Sequence, residues 1–148
     1  MARHPTVADT NTVISGLLWG GAPRQLLDAA RRGEVLLLTS PELLAELGDV
    51  LSRPKFAKRL EVAGVTAAEL VTGYAALAQV VRIPAVEPVI ADDPDDDVVL
   101  ATAVTAGAEV IASGDHHLLA LGQYKGIAIL PAAELLVRLN PTPPPVSS

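Results

Sequence analysis

Four short stretches of the 148-residue sequence place carboxylates where they could do chemistry: Asp9 in TVADTNTVISG, Glu46 in SPELLAEL, Asp97 in DPDDDVVLATA and Asp115 in ASGDHHLL. Asp9 and Asp115 each stand just past a short apolar run of strand character. Asp97 falls in the first turn of one helix-like run and Glu46 in the second turn of another, with Asp96 as the competing register for the third position. Four like charges in one pocket repel and raise some of their own pKa values unless a cation neutralises them. Oxygen donors in a chain without cysteine point to a hard divalent ion, Mg²⁺ or Mn²⁺. One or two such ions bound to a phosphodiester can activate water, neutralise the developing negative charge and stabilise the leaving oxygen.

Bringing those acids together is the task of the surrounding elements. Apolar runs of strand length lie at 5–8, 35–39, 80–84, 109–113 and 126–130. Between them the apolar spacing predicts helices over 13–19, capped by Thr10 or Asn11, and over 23–32, with Pro23 in the first turn and Gly33 beyond the end. Ser40 followed by Pro41 opens a helix to Leu51, and its stripe of Leu43, Leu44, Leu47, Val50 and Leu51 leaves Glu42, Glu46 and Asp49 on other faces. Further helices are predicted over 55–63, 67–80 (capped by Thr66, with Glu69 three residues on), from Pro94 to Ala106, just after Asp115, and over 132–139. Such alternation predicts a parallel sheet with helices on both faces, whose ligands gather at the carboxyl ends of the strands, where Asp9 and Asp115 stand.

Composition sets the frame. The length fits one domain, residues 1–139, and the tail 140–148, NPTPPPVSS, reads as a disordered, polyproline-like end. A hydrophobic fraction of 50%, built from Ala, Val and Leu with one Trp, one Phe and two Tyr, predicts an aliphatic interior and excludes a disordered chain. The apolar stretches fall well short of the ~20 residues that span a bilayer, and the N-terminus lacks a signal-peptide core, so the sequence reads as cytoplasmic. Zero cysteines exclude disulfides, thiolate metal sites and cysteine nucleophiles. A net charge of -6 argues against a general grip on nucleic acid, yet seven of the 11 basic residues (Arg24, Arg31, Arg32, Arg53, Lys55, Lys58 and Arg59) lie between positions 24 and 59 and could form a local basic rim.

Taken together, Asp9 with Asn11, Glu46, Asp97 followed by Leu100, Ala101 and Thr102, and Ser113 with Asp115 resemble the PIN-domain ribonucleases, in particular the VapC-like toxins of bacterial type II toxin–antitoxin pairs. The resemblance runs from about Val7 to Leu136. It implies an α/β fold, a three-layer α/β/α sandwich around a small central parallel sheet, Rossmann-like in character. It further implies Mg²⁺- or Mn²⁺-dependent cleavage of RNA, with Asp9, Glu46, Asp97 and Asp115 holding metal. By the same resemblance Asn11 orients Asp9 or the scissile phosphate, and Ser113 hydrogen-bonds a carboxylate or a water on the metal. A homodimer and a cognate antitoxin protein are implied as partners, with the apolar helices at 12–19 and 42–51 as candidate docking surfaces.

Plainer readings exist for each residue. Asp9 with Asn11 makes an Asx cap at a strand-to-helix turn, and Glu46 alone is an ordinary solvated helical residue. Asp92, Asp93 and Asp95 suit a loop and helix N-terminus. His116 and His117 point about 100° apart on a helix and lack i, i+4 spacing, so capping or surface roles are expected of them rather than zinc binding. Trp19 is expected in the core or at an interface. Two other functions stay open: a phosphatase of the haloacid dehalogenase type with Asp9 as nucleophile, although Asn11 stands where its second acid belongs, and a non-catalytic antitoxin-binding domain.

Overall fold

The four inner strands are short, each burying a few β-branched or aliphatic residues between two layers of helices, while the two-residue strands at the edges stay largely exposed. The computed structural model describes residues 3–84 and 94–139, with backbone alone at 94 and 95. The tail at 140–148, Asp92, Asp93 and the Asp95 side chain lie outside the described residues. In chain order the elements are β1 (Pro5–Ala8), α1 (Thr10–Leu18), α2 (Ala22–Arg31), β2 (Leu36–Thr39), α3 (Pro41–Leu51), α4 (Pro54–Ala63), α5 (Ala67–Leu77) and β3 (Gln79–Val80). Then come α6 (Pro94–Ala106), β4 (Val110–Ala112), α7 (His116–Leu121), β5 (Gln123–Tyr124), β6 (Ile127–Leu130) and α8 (Ala132–Leu139).

The six strands form one sheet in the order β3-β2-β1-β4-β6-β5. All neighbours run parallel except β5, which pairs antiparallel with β6. The parallel sheet expected from the sequence is present, with β5 as an antiparallel addition at its edge: a two-residue piece carries too little pattern to be read as a strand. A correction concerns 80–84. The helix before it stops at Leu77 and the strand is Gln79–Val80, ended early by the approach to Pro84.

Alternation along the strands divides the interior into two cores, one on each face of the sheet. Ala8, Leu37, Val110, Ala112 and Leu130 point to one side, where α1, α2, α3, α5 and α8 pack. Val7, Leu38, Ile111, Ile127 and Ile129 point to the other, against Val99, Leu100 and Ala103 of α6 and Leu118 of α7. The result is the α/β/α layering. Gly16 lets α1 and α2 approach closely, since a Cβ there would lie 2.7 Å from Leu27 Cδ1 and 2.8 Å from the Pro23 carbonyl oxygen.

These cores consume the apolar faces of 12–19 and 42–51: Val13, Ile14, Leu18, Leu43, Leu47, Val50 and Leu51 are all buried. The two helices therefore do not offer open apolar docking surfaces, contrary to the sequence expectation. Trp19, just past α1, is 46% exposed and lies outside the core. Among the described residues, no single helix is long and apolar enough to cross a membrane.

Candidate functional site

Strand order fixes where a site can form. The chain builds β2 and β3 on one side of β1, then crosses to lay β4 and β6 on the other, so the order reverses between β1 and β4. A crevice opens at such a switch point, outside the carboxyl ends of the two strands. Ala8 and Ala112 are register partners, so Asp9 and Ser113 leave their strands level with one another. Helices that follow parallel strands run back across the sheet, which puts their N-termini at this same edge.

A chain of hydrogen bonds holds two of the acids there. Asp9 is the N-cap of α1, its Oδ1 accepting from the Thr12 backbone N–H at 2.8 Å. The expected caps, Thr10 and Asn11, are instead the first two helical residues, because the Asp9 carboxylate reaches the N–H three positions on. The other oxygen of Asp9, Oδ2, accepts from the Ser113 hydroxyl at 2.5 Å, and Ser113 Oγ in turn accepts from the Asp115 N–H at 2.9 Å. Asp115 caps α7, with Oδ1 accepting from the N–H groups of His117 at 2.8 Å and Leu118 at 3.3 Å. The plain reading of Asp9 as a cap holds, and the cap is what aims its carboxylate at this edge.

Glu46, from the second turn of α3, and Asp96, from the first turn of α6, meet Asp9 and Asp115 at one cleft of about 220 Å³. Asn11, Thr10, Val50, Val99, Arg53 and Lys55 complete its lining. The two helices that carry Glu46 and Asp96 are tied by a buried bond of 2.9 Å between Ser40 Oγ, the N-cap of α3, and Thr102 Oγ1 of α6. Asp97 is buried as well, 5% exposed, but it is not among the residues lining the cleft. Asp96, the competing register, lines it instead. The reason is helical phase: Val99, Leu100 and Ala103 are buried in the core beneath α6, and Asp96 continues their stripe at i, i+3, i+4 and i+7. Spacing to an aliphatic alone did not separate the registers, because Leu100 stands three residues after Asp97 and four after Asp96.

Electrostatics at the cleft are balanced locally. Burial raises the tendency of Asp115 to stay protonated, but the Leu118 and His117 N–H groups, a hydrogen bond with Asp96 and the nearby His117 ring outweigh it, so its carboxyl lies below the usual range. Behind Asp9, the Tyr74 phenol is driven up by burial first and by the Asp9 charge second, and stays neutral. Asp96, Asp115 and His117 each offer one ligand atom, all within 4.8 Å of one another. Two carboxylates and an imidazole, with Asp9 and Glu46 on the same cleft, are a donor set that fits a divalent cation. Both histidines are exposed at the start of α7, as expected from the sequence, and the His117 Nδ1 lies 3.8 Å from Asp115 Oδ1. What brings the ring there is its position two residues beyond a capping acid, not zinc-ligand spacing.

Comparisons with known proteins bear on the family and the fold. A family model described as PIN domain matches residues 5–117, a span that holds Asp9, Glu46, Asp96, Asp115 and His117. Among solved structures, PAE2754 from Pyrobaculum aerophilum is similar in fold, with a TM-score of 0.56 and 20% sequence identity over 95% of this chain and 92% of that one. No curated protein matches the sequence.

Proposed function

The chain belongs to the PIN domain family, whose members are generally metal-dependent nucleases, and from that premise we propose that it is an endoribonuclease hydrolysing RNA phosphodiester bonds with Mg²⁺ or Mn²⁺. The observation that carries this reading is the single cleft lined by Asp9, Glu46, Asp96 and Asp115, with Arg53 and Lys55 at the same opening. The four carboxylates hold the metal, joined by His117. A divalent ion bound there supplies the positive charge that polarises a phosphodiester and acidifies an attacking water. The protein's own share is positioning. Ser113 and Thr12 fix both oxygens of Asp9, the α7 N-terminus fixes Asp115, and Asn11 faces the cleft within reach of a substrate phosphate. Arg53 and Lys55 draw the polyanion to the acids. The family membership leaves the dehalogenase-type alternative without support.

In the cell we infer a cytoplasmic toxin, a homodimer silenced by an antitoxin encoded beside it, as the resemblance of the four motifs to VapC-like toxins implies. With the faces of α1 and α3 spent in the core, one surface open to a partner among the described residues is the groove between α2 and α8, where Ala22, Ala133, Leu136 and Val137 stand beside Gln25, Asp28 and Arg32. Residues 1–139 form the nuclease domain.

Purified protein incubated with RNA should cut it in Mg²⁺ or Mn²⁺ and stop in EDTA. Asp96→Asn should lower the rate by about 100-fold or more, as expected when a group that stabilises developing charge is removed, while Asp97→Asn keeps most of it. Loss in Asp97→Asn alone would restore the other register. Cleavage that persists in excess EDTA would refute the metal mechanism, and no cleavage with any ion would favour the antitoxin-binding reading. A short reading frame next to the gene, whose product co-purifies and blocks cleavage, is the check on the toxin assignment.

A further inference from the structure

Beside the acid cleft, on the side of Arg53 and Lys55, lies a cluster that catalysis does not use. Trp19 follows the last residue of α1 and keeps 46% of its surface exposed. Arg59 of α4 donates from both Nε and Nη2 to the Leu18 carbonyl oxygen, the Nε bond at 2.8 Å, which caps α1 and pins the guanidinium 5.4 Å from the Trp19 ring centroid. Phe56 stands tilted against the indole with centroids 6.2 Å apart, and Lys55 Nζ sits 5.1 Å from the Phe56 ring. Lys55 also lines the acid cleft, so cluster and cleft are continuous. The segment from Arg53 to Arg59 carries four cations and no acid in a chain whose net charge is -6.

An indole half open to water, braced by a fixed guanidinium and flanked by lysine, is poorly explained by core packing. It has the composition of a site for an unpaired base: aromatic faces accept any base by stacking, and adjacent cations hold the phosphates on either side. Duplex RNA presents no free base face, and an apolar protein partner would leave the cations unmatched. Resting on the nuclease reading above, we propose that Trp19, braced by Arg59 and Phe56, stacks a base of single-stranded RNA next to the scissile bond, with Arg53 and Lys55 holding the phosphates between stack and cleft. Trp19 is thus a positioning residue that selects unpaired RNA.

The chain's only tryptophan is its own reporter. In EDTA and low salt, a 12-nucleotide oligouridylate should quench the indole emission on titration. An abasic ribose-phosphate oligomer of the same length, bound by the cations, should leave the emission nearly unchanged, and a blunt RNA duplex should compete poorly. With metal, Trp19→Ala should raise KM for a single-stranded RNA by about 5- to 100-fold, the worth of one stacked base, with a much smaller change in kcat. Trp19→Phe should recover most of the loss. RNA cleavage by the parent protein with emission untouched by saturating oligonucleotide would overturn the proposal and leave the nuclease reading standing, as would an unchanged KM in a folded Trp19→Ala. Quenching without cleavage under any ion would uphold the platform and sink the nuclease. Quenching by a co-purifying protein but by no oligonucleotide would assign the patch to a protein partner.

Discussion

Ser113→Ala tests the joint on which the site depends. The Ser113 side chain is fully buried, donates to Asp9 Oδ2 at 2.5 Å and accepts from the Asp115 N–H at 2.9 Å, so one hydroxyl couples the ends of β1 and β4. A hydrogen bond to a charged partner contributes about 1.5–3 kcal/mol and a neutral one about 0.5–1.5 kcal/mol. Asp9 lines the cleft and can turn its freed oxygen to water, which offsets part of the loss. The net expectation is a destabilisation of about 2–3 kcal/mol, or a fall in Tm of about 4–12 °C for a domain of this size. The assay is urea unfolding in EDTA on a double-mutant cycle of Ser113→Ala, Asp9→Ala and the pair. Asp9→Ala alone also loses the α1 cap, about 1 kcal/mol, but that contribution appears in both arms and cancels. A coupling energy of about 1.5–3 kcal/mol is expected. A coupling under about 0.5 kcal/mol would mean that Ser113 and Asp9 do not bind one another in solution, and the account of how Asp9 is aimed would fall with it.

Millimolar Mn²⁺ should stabilise the parent by about 2.7 kcal/mol at a hundredfold excess over its dissociation constant, and Asp96→Asn should lose most of that gain while Asp97→Asn keeps it. A melting temperature indifferent to Mn²⁺ and Mg²⁺ would count against a preformed site. His117→Ala should weaken Mn²⁺ binding more than Mg²⁺ binding, because imidazole suits the transition ion better; equal losses by titration calorimetry would place the ring outside the site. Gly16→Ala should lower stability by about 1–2 kcal/mol, since the strain of overpacking against Leu27 and the Pro23 carbonyl exceeds the gain of about 1 kcal/mol in helix propensity. A thermal melt at or above the parent's would show that α1 and α2 can separate without loss.

How much of this was legible in the sequence depended on the length of each pattern. Helices such as α3 and α8 carry two or more turns of apolar spacing with clear N-terminal signals, and their predicted ends match the structure. β5 has two residues and no period, and the Gln79–Val80 strand was hidden in the tail of a helical run. Strand ends and helix turns fix Asp9, Glu46 and Asp115 coarsely, which is why the sequence could place them at one edge, and in the structure they line one cleft. The choice between Asp96 and Asp97 was not legible, because neighbours on a helix differ by about 100° and only the face packed on the sheet decides. His116 and His117 are exposed as their sequence position suggests, and of the two places expected for Trp19 the core is excluded by its 46% exposure, which is set by where neighbouring elements end rather than by any local pattern.

The cleft also resolves a tension between an acidic chain and an anionic substrate. Four carboxylates would repel one another strongly in isolation, yet Asp9 and Asp115 cap helices and Asp96 lies in the first turn of α6, so each sits in the positive end of a helix dipole. That field lowers the cost of assembling the acids before any metal arrives, and it is supplied by backbone that a parallel sheet must direct to this edge in any case. Net charge matters little to the substrate at contact range, because charges beyond about 8–10 Å are screened at physiological salt. An approaching phosphate meets Arg53, itself paired with Asp49 at 3.3 Å, and Lys55 in the same lining as the acids. On the proposed reading few basic residues are needed: once a metal neutralised the acids, two cations in the cleft and a stacking face would orient a single strand, and a broadly basic surface would add affinity for every polyanion without improving its placement.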